Sequence, residues 1–314
     1  MVDTDKSYAR DDAFWDKYIK GRPKIPQVFF ERITNSHGGQ FGVVHDVGAG
    51  VGIHSPRLAR YFQNVIVSDV VAKNVQLAEE QLGDGGEGGE YTYREARMED
   101  ASGLEEGSVD FIFASFAMHF AHFDEAFAVF GKQLKPGGTF AALSSSTAIL
   151  SDAALNDVWH RTWEAGSKTI LEHSTDRRDR LRTLGNSSSG YDTMPLPETW
   201  FRPGALRISL NAGPDGAKRW PPIIPAELQK EYEVEFGPFS AGIGPNDLLI
   251  VGEEAGWSFT ADMKTLREQA ASMPWSSLEP DAQDPYWKEL EAIWPKDKMV
   301  EGIFPARIIL ATRK

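Results

Sequence analysis

An α/β fold on a mostly parallel sheet is what this sequence predicts, and three observations carry the prediction. Short β-branched and aromatic runs alternate with longer helical patterns through the first half of the chain. A buried-strand pattern, Val43 to Val47, runs straight into a glycine-rich turn and a helix start. The chain then closes on a strong strand pattern, Phe304 to Ala311. At 314 residues it is long enough for about two domains, or one domain with a large insertion.

Taken in order, Gly42 to Val47 reads as the first strand, and Leu58, Ala59, Tyr61 and Phe62 as the face of a following helix. Val65 to Asp69 is the second strand. Val71, Val75, Ala78 and Leu82 then fall at helical spacing. Gly83 to Glu90 holds five glycines and three acids, the composition of a solvated loop. Tyr91 to Glu95 and Val109 to Ala114 read as third and fourth strands, with a helix over Phe123 to Leu134. Lys135 to Gly138 turns sharply into a fifth strand, Thr139 to Ser144. After Ser146 the rhythm breaks. Asp152 to Leu184 reads as helical, with Leu155, Trp159 and Trp163 on one face. Gly185 to Pro225 reads as an irregular insertion rather than sheet. Alternation returns at Tyr232 to Phe236 and near Trp257 to Phe259, and Asp262 to Met273 reads as a helix. The economical division is a core of residues 1–150 and 226–314 with residues 151–225 as an inserted lid.

Composition narrows the function. Lys and Arg number 33 against 46 Asp and Glu, a net charge of −13 that repels phosphate backbones and anionic lipid. The chain has no cysteine, which removes disulfides, thiolate zinc sites and cysteine nucleophiles. Met1 to Arg10 is polar and mixed in charge, unlike a signal peptide, and no run reaches the roughly 20 apolar residues of a membrane span. A soluble, cytoplasmic protein with no nucleic-acid or membrane partner is expected. No spacing of metal-ligand type occurs, so no metal is predicted.

The strongest feature is Asp46-Val47-Gly48-Ala49-Gly50-Val51-Gly52, where a strand ending in a carboxylate meets three alternating glycines. Lacking Cβ atoms, such a turn lets a ligand lie against the main chain, and the helix start offers free N–H groups. A dinucleotide prefers Gly-x-Gly-x-x-Gly, but Ile53 occupies the third glycine's place. The Gly-Lys-Ser/Thr of a phosphate loop is absent as well. Asp46 repels phosphate and suits a cationic amino acid, which favours S-adenosylmethionine. Asp69, ending the second strand, is placed to accept hydrogen bonds from ribose hydroxyls, and equally to cap the helix that follows.

With these motifs in this order, the chain resembles the class I S-adenosylmethionine-dependent methyltransferases, and within them the small-molecule branch of trans-aconitate and quinone-type enzymes. The resemblance spans Tyr18 to Ser145 and the terminal strand. Ser108 to Ala114 resembles the family's fourth strand, and Leu134 to Phe140 its turn into the fifth. It implies a Rossmann-like, mostly parallel seven-stranded sheet with helices on both faces. It implies S-adenosylmethionine as cofactor, S-adenosylhomocysteine as product, and contacts from Asp46, Gly48, Ala49, Gly50, Gly52, Asp69, Val70 and Ser115. Ala96 to Asp100 lies where the family lines the adenine pocket, making Met98 and Glu99 candidates there, with Asp100 beside them. Tyr18 and Arg22 match a Tyr-x-x-x-Arg-Pro segment that folds over the methionine end. Read without the family, Tyr18 packs in a helix and Arg22 is a solvated charge.

Methyl transfer is an in-line displacement that needs positioning above all, and a base where the acceptor must lose a proton. His119 matches a family histidine near the transferable methyl and is the candidate base; otherwise it shapes the pocket. His122 reads as a helix-start residue. Trp159, Trp163 and Trp200 are the candidate acceptor contacts in the lid, and Arg177-Arg178-Asp179-Arg180 suits an acidic acceptor or a solvated helix face. The expected activity moves a methyl group to an O, N or C nucleophile of a small molecule, such as a secondary metabolite or carboxylic acid. The alternatives are a cyclisation or rearrangement on the same fold, or a non-catalytic binding module. An NAD(P) oxidoreductase is disfavoured by Ile53.

Overall fold

The computed structural model describes residues 12–86, 89–213, 220–279, 281–295 and 298–314. Residues 1–11, on which the signal-peptide expectation falls, lie outside these, as do residues 87–88 of the glycine-rich loop and 214–219 of the irregular segment.

The first half alternates as expected. Helices α1 (Asp12–Gly21) and α2 (Gln27–Asn35) lead into β1 (Val43–Val47), α3 (Ser55–Leu58), β2 (Asn64–Asp69) and α4 (Ala72–Leu82). Then come a two-residue β3 (Gly85–Gly86), β4 (Gly89–Glu95), β5 (Val109–Ser115), α5 (Phe123–Gln133) and β6 (Leu134–Ser145). Strand β1 pairs in parallel with β2 and β5, β2 with β4, and β5 with β6. Val44, Val65, Val67, Phe111 and Phe113 are fully buried, as in a sheet covered on both faces. The helix after the glycine turn is shorter than the pattern predicted. It is a single turn, and Ala59, Tyr61 and Phe62 follow it in a non-helical approach to β2.

The second half supplies β7 (Ile149–Leu150), α6 (Ala153–Glu172), α7 (Arg177–Ser188), β8 (Leu206–Leu210), α8 (Ala226–Phe236) and β9 (Leu248–Gly252). After these come β10 (Ser258–Ala261), α9 (Met263–Ala271), α10 (Asp284–Ile293), β11 (Val300–Ile303) and β12 (Ala306–Thr312). Strand β12 lies antiparallel between β6 and β8. The main sheet runs β3-β4-β2-β1-β5-β6-β12-β8-β9. It has nine strands where seven were expected, because β3 and β9 extend its two edges.

Three readings of the second half are corrected. Residues 206–210, assigned to the lid, form a core strand. Its alternation was obscured by Arg207, a buried cation held by Asp247 at 2.6 Å and by the carbonyls of Tyr191, Met194 and Gly242. Residues 232–236 are helical, not extended: the rings of Tyr232 and Phe236 meet at 5.1 Å one helical turn apart, while Val234 between them faces solvent. Finally, the capping region over the sheet is not confined to residues 151–225. Its apolar core draws Leu155, Trp159 and Leu184 together with Leu228, Leu266, Trp275, Leu290 and Val300. A three-stranded antiparallel sheet, β10-β11-β7, underlies that cap. No helix among the described residues is long and apolar enough to cross a membrane.

Candidate active site

The carboxyl ends of β1, β2 and β5 meet the glycine turn and open a cleft of about 950 Å³, its mouth included. Strand-end position puts loops, and therefore exposed backbone groups, at one edge of a rigid sheet. Gly48 has φ +63°, and a Cβ there would fall 2.6 Å from the Ala117 methyl, so a side chain would fill the cradle. Gly50 turns its N–H to Asp69, donating to Oδ2 at 2.9 Å. The other Asp69 oxygen accepts from the Val71 N–H at 2.9 Å and from Asn74 at 3.1 Å. Trp15 of α1 donates in turn to Asn74 at 3.0 Å, fixing that amide. Asp69 is not the cap residue of α4, which is Val71 without a side-chain cap; its carboxylate instead ties down the segment before that helix and lines the cleft.

The cleft gathers most of the residues that the sequence singled out. Tyr18, Asp46, Gly48, Ala49, Gly50, Asp69, Val70, Met98, Glu99 and Ser115 all line it. Ser115 Oγ is buried there without a hydrogen-bond partner among the described residues. Asp46 accepts from Ser55 at 2.7 Å, yet burial, aided by the nearby Asp69 charge, pushes its carboxyl up from 3.8 to about 7. Burial also raises Asp69, against the pull of its three donors. Burial thus holds both carboxyl groups partly towards their neutral forms, and a bound cation would draw them back to carboxylates, whereas a diphosphate would oppose their ionisation. Glu99 accepts from the His122 N–H at 2.8 Å, and His122 precedes α5 as a helix-start residue. Asp100 lies outside the lining and is engaged with the Ser102 N–H at 2.8 Å.

A second cavity adjoins the first, sharing Tyr18, Phe116 and Phe120 as common walls. Its lining joins Arg22 and His119 to Ser144 and Ser145 at the end of β6. Cap residues complete it, Ile170, Arg180, Thr183, Leu184, Ile223 and Met273 among them. None of its lining residues is an acid. Phe116, on the shared wall, has φ +53°, a left-handed conformation costly for a bulky residue. His119 stands 3.3 Å from the Tyr191 hydroxyl through Nδ1, and its ring meets that of Phe120 at 4.2 Å, tilted by 42°. Burial lowers its imidazole from 6.5 to about 3, and Arg22, Arg182 and Arg180 push it the same way. That imidazole is neutral throughout the physiological range. Arg182 also bonds the carbonyls of Phe120 and Ala121 at 3.1 and 2.7 Å, joining the cap helix α7 to the loop that carries His119.

Other expected site residues sit elsewhere. Gly52 is not in the lining; it lets the turn pack on Leu82, which a Cβ would approach to 2.9 Å. Arg22 lines the second cavity instead of the first, with its guanidinium 4.5 Å over the Tyr18 ring. The three tryptophans named as acceptor contacts line neither cavity. Trp159 and Trp163 pack edge-on at 5.8 Å in the interior of the cap, between Trp287 and Trp275. Trp200 lies against Gly131 of α5, under the Arg313 guanidinium at 5.0 Å. Large aromatics went where they bury most area, into packing. Conversely, Trp15, Ile53, His54 and Asn74 line the cleft without having been singled out. For Trp15 a signal existed: it stands one helical turn before Tyr18, so both share a face of α1.

Comparison with known proteins adds the following. A family profile described as a methyltransferase domain matches residues 45–142. Methyltransferase tpcM of Aspergillus fumigatus is 39% identical over 314 residues, covering 99% of this chain and 94% of that protein. Methyltransferase AacuQ of Aspergillus aculeatus is 38% identical, covering 99% and 96%. A methyltransferase of Claviceps purpurea is 37% identical, covering 99% and 95%.

Proposed function

This chain belongs to the methyltransferase family, whose methyl donor is S-adenosylmethionine, and on that premise we propose that its acceptor is a small, largely apolar molecule bearing an acidic group. The family makes it an enzyme that transfers a methyl group; the donor site and the acceptor rest on the geometry above. Three features of the first cleft suit the donor. The Gly48 cradle is one that any side chain would fill, Ser115 Oγ is buried with no hydrogen-bond partner among the described residues, and the two carboxyl groups at the turn gain from a sulfonium with its ammonium. In this reading Asp69 receives the ribose, Asp46 faces the positive end, and Met98 and Glu99 border the adenine.

The observation that carries the acceptor reading is the second cavity's lining: two guanidinium groups, several apolar side chains and no acid, sharing walls with the donor cleft. Arginine recognises a carboxylate by a planar fork, and a mostly apolar pocket holds the rest of the ligand. The donor supplies a carbon already activated by its sulfonium. The protein's own task is therefore alignment of an acceptor oxygen with that carbon, which Phe116, Phe120 and Tyr18 perform by packing. An acidic oxygen is ionised at neutral pH and needs no base, which agrees with an imidazole held near 3. His119 here orients the acceptor by hydrogen bonding and closes the pocket to water.

The test is turnover with isotopically labelled S-adenosylmethionine against matched aromatic carboxylic acids, their amides and their methyl esters. Label in the acids alone supports the reading. Transfer to amides as readily as to acids refutes it.

A further inference from the structure

Tyr191, in the connection between α7 and β8, is fully buried and has φ +69°, a left-handed conformation that is costly for a bulky residue. Two buried arginines hold the backbone in that state. Arg207 donates to the Tyr191 carbonyl at 3.2 Å, and Arg307 grips the next residue, Asp192, at 2.6 and 2.8 Å. What the strain secures is the position of one hydroxyl. It lies 3.3 Å from His119 Nδ1, with the two rings within 23° of parallel. The same oxygen meets the backbone of Met118 and His119, which open the single 3₁₀ turn Met118–Phe120. Ala117, before that turn, supplies no side-chain cap, so the first N–H groups of the turn depend on a partner from outside it.

The direction of the contact with the imidazole follows from the protons available. Burial raises the phenol, so it keeps its proton. A phenolic oxygen offers one O–H and two lone pairs. The two backbone N–H groups take the lone pairs, and the O–H is left for Nδ1. Ser144 Oγ, also within reach of the phenol, is a rotatable hydroxyl that takes whichever role remains. A neutral imidazole that accepts at Nδ1 carries its own proton on Nε2. That nitrogen takes no hydrogen bond from the described residues, and the ring lines the second cavity. We propose that Tyr191 is a positioning residue for methyl transfer: its hydroxyl holds His119 as the Nε2–H tautomer, so that the ring presents a hydrogen-bond donor to the acceptor's ionised oxygen. The role given to Nε2 rests on the acceptor reading above. An ionised oxygen held this way keeps a lone pair for the methyl carbon, whose bonding pair to sulfur departs, and no proton moves. An acceptor that must first lose a proton finds no lone pair on Nε2 to take it.

The tautomer is read in the full chain without any acceptor. Ring 15N shifts in NMR separate a protonated from an unprotonated nitrogen, and His119→Gln identifies which of the seven histidines is observed. The parent chain should show Nδ1 bare and Nε2 protonated, and Tyr191→Phe should move the ring towards a mixture. Nδ1 protonated in the parent, or shifts unmoved in Tyr191→Phe, overturns the proposal. With an acid that accepts label, Tyr191→Phe should lower kcat/KM roughly three- to tenfold, as one neutral hydrogen bond would, with affinity for the methyl donor unchanged. In a His119→Gln background, whose amide N–H donates without help from Tyr191, the same change should cost less than about twofold. An equal loss in both backgrounds marks a purely structural role and overturns the proposal. If Tyr191→Phe does not fold, the parent's ring shifts alone decide between the tautomers. Failure of every acid to accept label strikes the acceptor reading, and with it the role of Nε2, while the tautomer stands or falls on its own measurement.

Discussion

Asp46 gives the sharpest handle on the proposed donor site. Its carboxyl lies at about 7 in the free protein, raised from 3.8 by burial. A cationic donor stabilises the ionised form, so binding at pH 6 must first remove a proton that is absent at pH 8. With the free group half-titrated near 7 and ionised in the complex, affinity should fall about tenfold from pH 8 to pH 6, ~1.4 kcal/mol. Calorimetry at the two pH values, in buffers of different ionisation enthalpy, reads both the affinity and the released proton. Asp46→Asn should flatten the profile and weaken binding at the higher pH. The sign for the free protein is opposite. A carboxyl raised on folding contributes stability that is fully present below its unfolded value and is lost as pH climbs from about 4 through 7. The melting temperature should accordingly gain more from donor at pH 8 than at pH 6. Equal affinities within about twofold at both pH values, or a slope that survives in Asp46→Asn, would refute the assignment of Asp46 to the cation.

Asp69→Ala should weaken donor binding by about 1–3 kcal/mol, as expected for lost hydrogen bonds to an ionised group, and calorimetry showing wild-type affinity contradicts its ribose role. His119→Ala should lower turnover while leaving donor affinity intact. The parent enzyme's rate should show no inflection from this imidazole near neutrality, since the group lies at about 3; an inflection that vanishes with His119 would restore it as the base. Trp200→Ala should cost about 3 kcal/mol in urea unfolding, a large-to-small packing loss, and leave kcat/KM unchanged; a selective rise in KM would return Trp200 to the acceptor site.

Much of the first cleft was legible because its chemistry is local. Asp46 to Gly52 is a strand end, a turn and a helix start in consecutive residues, and each glycine there answers a backbone demand. Asp69 was legible for the same reason, closing an apolar strand. The sheet's far side was harder to read. Strand β8 hides a buried arginine whose partner, Asp247, is forty residues on, so alternation alone made it look polar. Tyr232 to Phe236 alternates in sequence yet winds as a helix, because the contact that matters spans one turn and not one strand face. The residues of the second cavity were least legible. Of the three tryptophans named, Trp200 packs on α5 and burial sends Trp159 and Trp163 into the cap's interior, while the cavity is walled by Ile170, Arg180, Leu184 and Met273. Such residues become neighbours only when the chain is folded.

The small sheet beneath the cap has a practical consequence for anyone wishing to retarget this enzyme. Its strands come from positions 149–150, 258–261 and 300–303, so the cap beside the second cavity is sewn down at three widely spaced points along the chain. With β8 also threaded through the intervening stretch, no contiguous cassette can be exchanged between relatives without cutting a seam. Chimaeras should fail to fold where point changes at the cavity wall succeed, and acceptor preference in such a scaffold is redesigned by individual side chains.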